Sequence, residues 1–173
     1  MNNTNFTNKI VGLVGNASSL LHKDHSQHID SNDLVCRINR GVPTDKVQGK
    51  KFNYLFCSGK NLINDIKKEI PSEVKIIFNN EIINEINLDL RSKLDLKTKK
   101  QQPSTGLLAL SYIIEQNPKV INLYGFDWLK TKTYYEEQYY KKNDIVWNAH
   151  NFKQEEKLIR DYYCKNYDIR IFE

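Results

Sequence analysis

The chain has 173 residues, 39% of them apolar and 27% charged. That is enough for one domain with its own core and too little for two, and it excludes a disordered chain. The net charge of +5 and pI of about 9.0 suit an anionic partner, yet the basic residues are scattered except at Lys97, Lys99 and Lys100, with no zinc-finger spacing or RNA-binding aromatic signature, so no nucleic acid is expected. No run of eighteen apolar residues is present, so no transmembrane segment is expected. The N-terminal MNNTNFTNK lacks the apolar core of a signal peptide, and Cys36, Cys57 and Cys164 are an odd number without metal-ligand spacing. These features predict a cytoplasmic protein.

In chain order, Lys9 to Val14 reads as a buried strand that feeds a loop at Gly15-Asn16. Asp33 to Asn39 and Phe52 to Cys57 are the second and third strands. Lys60 to Ile70 has helical spacing, with Leu62, Ile63, Ile66 and Ile70 on one face and Pro71 as the stop. Val74 to Phe78 is a fourth strand and Glu81 to Leu90 a helix. Arg91 to Gln102 is polar and basic and is expected to be a mobile loop. Pro103 to Gly106 opens an apolar helix, Leu107 to Glu115, capped by a hydroxyl residue. Val120 to Tyr124 is the fifth strand and Ile169 to Phe172 the last. Between them, Thr131 to Asn148 is aromatic and carries no clear pattern. Asn151 to Tyr163 reads as a helix, with Asn151 and Gln154 as its capping pair and Phe152, Ile159 and Tyr163 as its buried stripe. The alternation predicts a single α/β Rossmann-like domain over residues 1–173, with a mainly parallel sheet flanked by helices. Ligands of such sheets gather outside the carboxyl ends of the strands.

Several tracts at those ends could carry chemistry, each with a plainer reading beside it. Gly15 to Ser19 has small residues that let backbone N–H groups approach a phosphate, but it lacks the glycines and lysine of a dinucleotide fingerprint or P-loop and also reads as an ordinary turn. Asn39, in Arg37-Ile38-Asn39-Arg40, offers both donor and acceptor to a base or ribose; the plainer reading is a strand end with a solvated arginine. Ser104, Thr105 and Gly106 combine hydroxyls and a close approach with the positive end of a helix, which suits an anion or simple capping. His150, just ahead of a helix, could act as a general base or only cap it, and Glu155 could help fix the segment. His22, His25 and His28 are spaced i, i+3, i+6, but no carboxylate backs them, and a polar loop or helix face is the simpler account.

Taken together and in order, these tracts resemble the animal-type sialyltransferase family. Residues 14–21 (VGNASSLL) with 34–41 (LVCRINRG) resemble its large sialylmotif, and residues 103–128 resemble its small sialylmotif closely. TYYE at 133–136 is similar to the third motif, and His150 with Glu155 has the H-x4-E spacing of the very small motif. The resemblance spans about residues 9 to 160. It implies a glycosyltransferase moving sialic acid, or a related acidic sugar such as Kdo, from a CMP-sugar donor to a glycan acceptor hydroxyl, inverting and metal-independent, with no cofactor beyond the CMP-sugar co-substrate. It also implies donor contacts from Asn16, Ala17, Asn39, Ser104, Thr105, Gly106, Tyr134 and Tyr135, with His150 as the base and Glu155 as its structural support. Val11 and Pro118 stand where the family's animal members carry a disulfide, so that bond is absent, in keeping with a cytoplasmic protein. Thr133 stands where the third motif often begins with His, so Tyr134 or Tyr135 would have to supply the phosphate contact. The length predicts a minimal bacterial or viral relative without anchor or stem. The other readings are a non-catalytic CMP-sugar-binding domain and an unrelated Rossmann-like enzyme such as a methyltransferase.

Overall fold

The structure is a computed structural model that describes residues 6–82, 84–96, 101–135 and 149–173. Its centre is a six-stranded parallel sheet built from β1 (Ile10–Val14), β2 (Leu34–Ile38), β3 (Tyr54–Cys57), β4 (Lys75–Phe78), β5 (Val120–Tyr124) and β6 (Ile169–Phe172). The strand order is β4-β3-β2-β1-β5-β6. After β4 the chain crosses back past β1 to add β5 on its other side, so the strand order reverses at the β1/β5 boundary. Crevices open at such a reversal because the loops on either side of it diverge. Here they first run close together: a Cβ on Gly15 would lie 2.4 Å from the Gly125 carbonyl oxygen, so only glycine fits there.

The strands are short apolar runs because both faces of the sheet are covered. One face packs on α4 (Thr105–Glu115), whose residues Thr105 to Ser111, Ile113 and Ile114 are all buried. Ser104 is its N-cap, with Oγ accepting the Leu107 N–H at 3.2 Å. The other face holds Val14, Leu20, Ile29, Val35 and Tyr124, with Ile29 supplied by α1 (Ser26–Asp30). His28 lies against Tyr124 there, with Nδ1 2.6 Å from the phenol oxygen, so His25 and His28 serve as ring packing on β5.

The expected helix at Lys60 ends early. As α2 it covers Lys60–Ile66, and the next residues form tight turns, with Glu69 N–H donating to the Ile66 carbonyl at 2.9 Å. Pro71 disfavours helical backbone before it, which shortens the helix from its end. The segment expected as a mobile loop from Arg91 begins in a helix. Helix α3 (Asn84–Lys93) runs on past Arg91, and Leu94, the residue that follows it, is buried in the core cluster, one turn after Leu90. Residues 97–100, with the basic run, lie outside the described residues, as do 136–148 of the aromatic segment and Glu136 of the third motif. Helix α5 (Phe152–Leu158) is capped by Asn151, whose Oδ1 accepts the Gln154 N–H at 3.2 Å, and continues through a π-helical turn at Ile159–Tyr163.

Arg37 is not a solvated strand-end arginine. It is fully buried on β2. Nη2 donates to the carbonyls of Gln48, Gly49 and Lys51 at 2.9, 3.2 and 3.1 Å, and the guanidinium lies 5.7 Å from the centre of the Phe52 ring. Burial holds its pKa down to about 10. The carbonyls meet the guanidinium at hydrogen-bond distance, with the Asp30 carboxylate adding a favourable charge, so the carbonyls depend on it. Arg37→Met should strand them and cost on the order of 2–4 kcal/mol of stability. The urea midpoint should fall at constant slope; an unmoved midpoint would show that water replaces the guanidinium without loss.

Candidate functional site

A cavity of about 550 Å³ opens at the carboxyl ends of β2, β3 and β4, beside the start of α4. Asn39, Thr105, Tyr135 and His150 line it, so four of the residues singled out from sequence meet there. Asn39 follows β2 with φ of 50°, a left-handed turn that asparagine tolerates. Its Oδ1 accepts the Ser58 N–H at 3.0 Å, which ties the ends of β2 and β3 together. Thr105 Oγ1 accepts from Asn79 Nδ2 at 3.1 Å and so joins α4 to the end of β4.

His150 is held by the chain opposite. Its Nδ1 lies 2.8 Å from the Gln102 carbonyl, and Gln102 N–H donates to the Ala149 carbonyl at 2.8 Å. A carbonyl can only accept, so Nδ1 carries hydrogen. In the neutral ring Nε2 then holds the lone pair, which is the form a general base needs.

Glu155 is buried on the first turn of α5, five residues after the imidazole. Oε1 accepts the Ser104 N–H at 2.8 Å and Oε2 accepts the Ser104 hydroxyl at 2.6 Å. Burial pushes the carboxyl up to about 7, against the two hydrogen bonds that favour its charged form. The two N-termini, of α4 and of α5, are thus fastened to each other.

Other expected donor residues stand beside the cavity. The Ser104 amide and hydroxyl serve Glu155 and the helix cap. Gly106 makes room for an aromatic ring, since a Cβ there would lie 3.0 Å from Phe126 Cε1. Asn16 is buried, with Nδ2 donating to the Ile38 carbonyl at 2.9 Å and to the Tyr135 hydroxyl at 3.2 Å, while its Oδ1 is buried with no protein partner. Ala17 pairs in an antiparallel bridge with Thr133. Tyr134 turns to the opposite face of the sheet, against the cluster around Tyr124, with its hydroxyl 3.5 Å from the Val42 carbonyl, and burial raises its phenol pKa. Its neighbour Tyr135 is the tyrosine that lines the cavity.

The model of glycosyltransferase family 29 (sialyltransferase) matches residues 58–166, well over half of the chain. The chain belongs to that family. Among solved structures it is similar to a mammalian sialyltransferase in complex with Gal-beta-1-3GalNAc-ortho-nitrophenol, at 18% identity and a TM-score of 0.67, over 95% of this chain and 69% of that one. It is also similar to the sialyltransferase CstII from Campylobacter jejuni in complex with CMP-3FNeuAc, at 17% identity and a TM-score of 0.57, over 94% and 86% of the two chains. No curated protein matches it. Family membership removes the reading as an unrelated methyltransferase-like enzyme, and the sialyltransferase structures share its α/β fold.

The sialyltransferase cavity also contains Ser58, Asn79, Asn80 and Arg40, which sequence reasoning passed over. Their signal was present: Asn79-Asn80 follows β4 just as Asn16 follows β1 and Asn39 follows β2. Among the described residues no helix is long and apolar enough to cross a membrane.

Proposed function

We propose that this chain transfers sialic acid, or a related acidic sugar such as Kdo, from a CMP-linked donor to a glycan hydroxyl. The observation that carries the reading is His150, whose Nδ1 hydrogen goes to the Gln102 carbonyl at the wall of the cavity, leaving Nε2 to take a proton. The acceptor oxygen gives its proton to Nε2 and attacks the anomeric carbon from the face opposite CMP, so the configuration inverts. As the bond to CMP breaks, negative charge grows on the departing phosphate, and the positive end of α4 at Thr105 stabilises it. A CMP donor carries one phosphate, which a helix start and hydroxyls can meet without a metal ion. Donor and acceptor classes are supported by the CMP-3FNeuAc and Gal-beta-1-3GalNAc compounds bound to the similar sialyltransferases.

The test is a thermal-shift and transfer experiment in EDTA. CMP should raise the melting temperature while UDP and NAD leave it unchanged, and CMP-sialic acid with a panel of short galactosides should yield a sialylated product. Stabilisation by UDP or NAD in place of CMP would overturn the reading. Activity lost in EDTA and restored by magnesium would overturn its metal-independent step.

A further inference from the structure

We propose that Asn79 is a positioning residue, whose amide holds the Thr105 hydroxyl by its oxygen and so presents the hydroxyl hydrogen to the anion of the donor. The inference rests on the CMP-sugar reading and goes one step into it. Thr105 is the first residue of α4 and Asn79 the first after β4, and both line the cavity. Two hydroxyls stand at the start of that helix. Ser104 carries the cap, with Oγ accepting the Leu107 N–H at 3.2 Å and donating to Glu155 Oε2 at 2.6 Å. Its single hydrogen is thereby committed. Thr105 has no capping role, and the Asn79 amide is the only protein partner of its hydroxyl among the described residues.

The direction of that bond decides what the hydroxyl can do. An amide N–H only donates, so at 3.1 Å from Asn79 Nδ2 the Thr105 oxygen is the acceptor. The hydroxyl hydrogen then points away from Asn79, beside the positive end of α4, where an anion is favoured. A bond that a hydroxyl accepts also polarises the one it donates, so the amide strengthens Thr105 as a donor. The other end of the amide would do the reverse, because an oxygen facing Thr105 would draw the hydrogen to itself. Asn79 Oδ1 is instead buried, with no protein partner among the described residues. The backbone beneath the amide is held by a 3-10 turn at Asn79–Glu81, closed by the Ile82 N–H on the Asn79 carbonyl at 3.3 Å. The donor has two anionic groups, the phosphate of CMP and the carboxylate of the acidic sugar, and a hydroxyl hydrogen serves either.

The experiment measures calorimetric affinities for cytidine, CMP and CMP-3FNeuAc, which carry neither, one and both of those anionic groups, with the wild type and the N79A, T105V and N79A/T105V variants. T105V keeps the shape of threonine without its hydroxyl and should weaken CMP by about tenfold to a hundredfold, the value of one hydrogen bond to a charged group. N79A releases the hydroxyl among its staggered positions and should weaken CMP by about three- to tenfold, with cytidine affinity unchanged. Unchanged cytidine affinity also shows that the site is folded. In the T105V background N79A should add no loss, because Asn79 acts through the hydroxyl. A loss that appears only with CMP-3FNeuAc assigns the hydroxyl to the sugar carboxylate in place of the phosphate, and the positioning role stands. Equal loss of all three ligands in N79A, no loss of any, or a full N79A loss in the T105V background overturns the assignment while the CMP-sugar reading stands, because the bond would then only tether β4 to α4 or do nothing for the ligand. A wild-type chain that binds neither CMP nor CMP-3FNeuAc overturns the CMP-sugar reading and the assignment together.

Discussion

His150→Ala should lower sugar transfer by about 10²–10⁴-fold, the usual contribution of a placed general base, and leave CMP affinity nearly intact. The separation is expected because Asn39 and Thr105 approach the cavity from the end of β2 and the start of α4, whereas His150 approaches from beside the backbone hydrogen bond between Gln102 and Ala149. Steady-state transfer kinetics and CMP calorimetry on the same variant measure both halves. His150→Asn keeps a hydrogen-bonding side chain beside the Gln102 carbonyl but cannot take the proton, and should be as slow as the alanine variant. Wild-type turnover in either variant would move the base elsewhere in the chain.

The second large effect is on stability, and its sign is opposite to that of most buried-residue substitutions. Glu155 is ionised only at a cost in the folded chain: burial lifts its carboxyl from 4.5 to about 7. A carboxyl whose pKa is higher in the folded than in the unfolded state binds more protons when folded. Its contribution is therefore complete below pH 4.5, is lost as the pH rises to about 7, and is level above that. The shift corresponds to about 3 kcal/mol. Glu155→Gln keeps the shape, can accept the Ser104 N–H and donate to the Ser104 hydroxyl, and does not titrate. The variant should gain stability over the wild type between pH 4.5 and 7, and hold the gain at higher pH. Urea unfolding of both proteins across that range gives the difference directly. A difference that does not change with pH would mean that water reaches the carboxylate.

Much of the fold was legible because the strands are buried on both faces and read as apolar runs: Val120 to Tyr124 and Ile169 to Phe172 match the structure residue for residue. What failed were boundaries set by contacts far away in sequence. Leu94 looks like part of a polar loop until α3 delivers it to the core. Arg37 looks solvated because a sequence does not show the carbonyls of residues 48 to 51 turning back to meet it. The site was legible as a set of tracts but not as a division of labour. Residues adjacent in sequence separate in space: Tyr135 lines the cavity while Tyr134 packs on the other face of the sheet, and Thr105 lines it while Ser104 serves Glu155. Spacing alone cannot tell which of two neighbouring side chains points inward, since that depends on the backbone turn between them.

The order of the sheet puts the two halves of the site in regions of unequal permanence. Asn39 directly follows β2, an interior strand, whereas His150 precedes α5, which leads into β6, the edge strand that pairs only with β5. Edge units are the first to open in native-state fluctuations, and interior strands the last. An opening of the segment from His150 to Phe172 would take with it the imidazole and the Glu155 clasp on Ser104, at the cost of exposing Ile159, Tyr163 and Ile169, and would leave β1 to β5 paired. Such a form would keep Asn39 and Thr105 in place but lack the proposed base. Warming or mild denaturant should therefore silence transfer before it abolishes nucleotide binding, so that activity and occupancy melt at different temperatures in the same molecule.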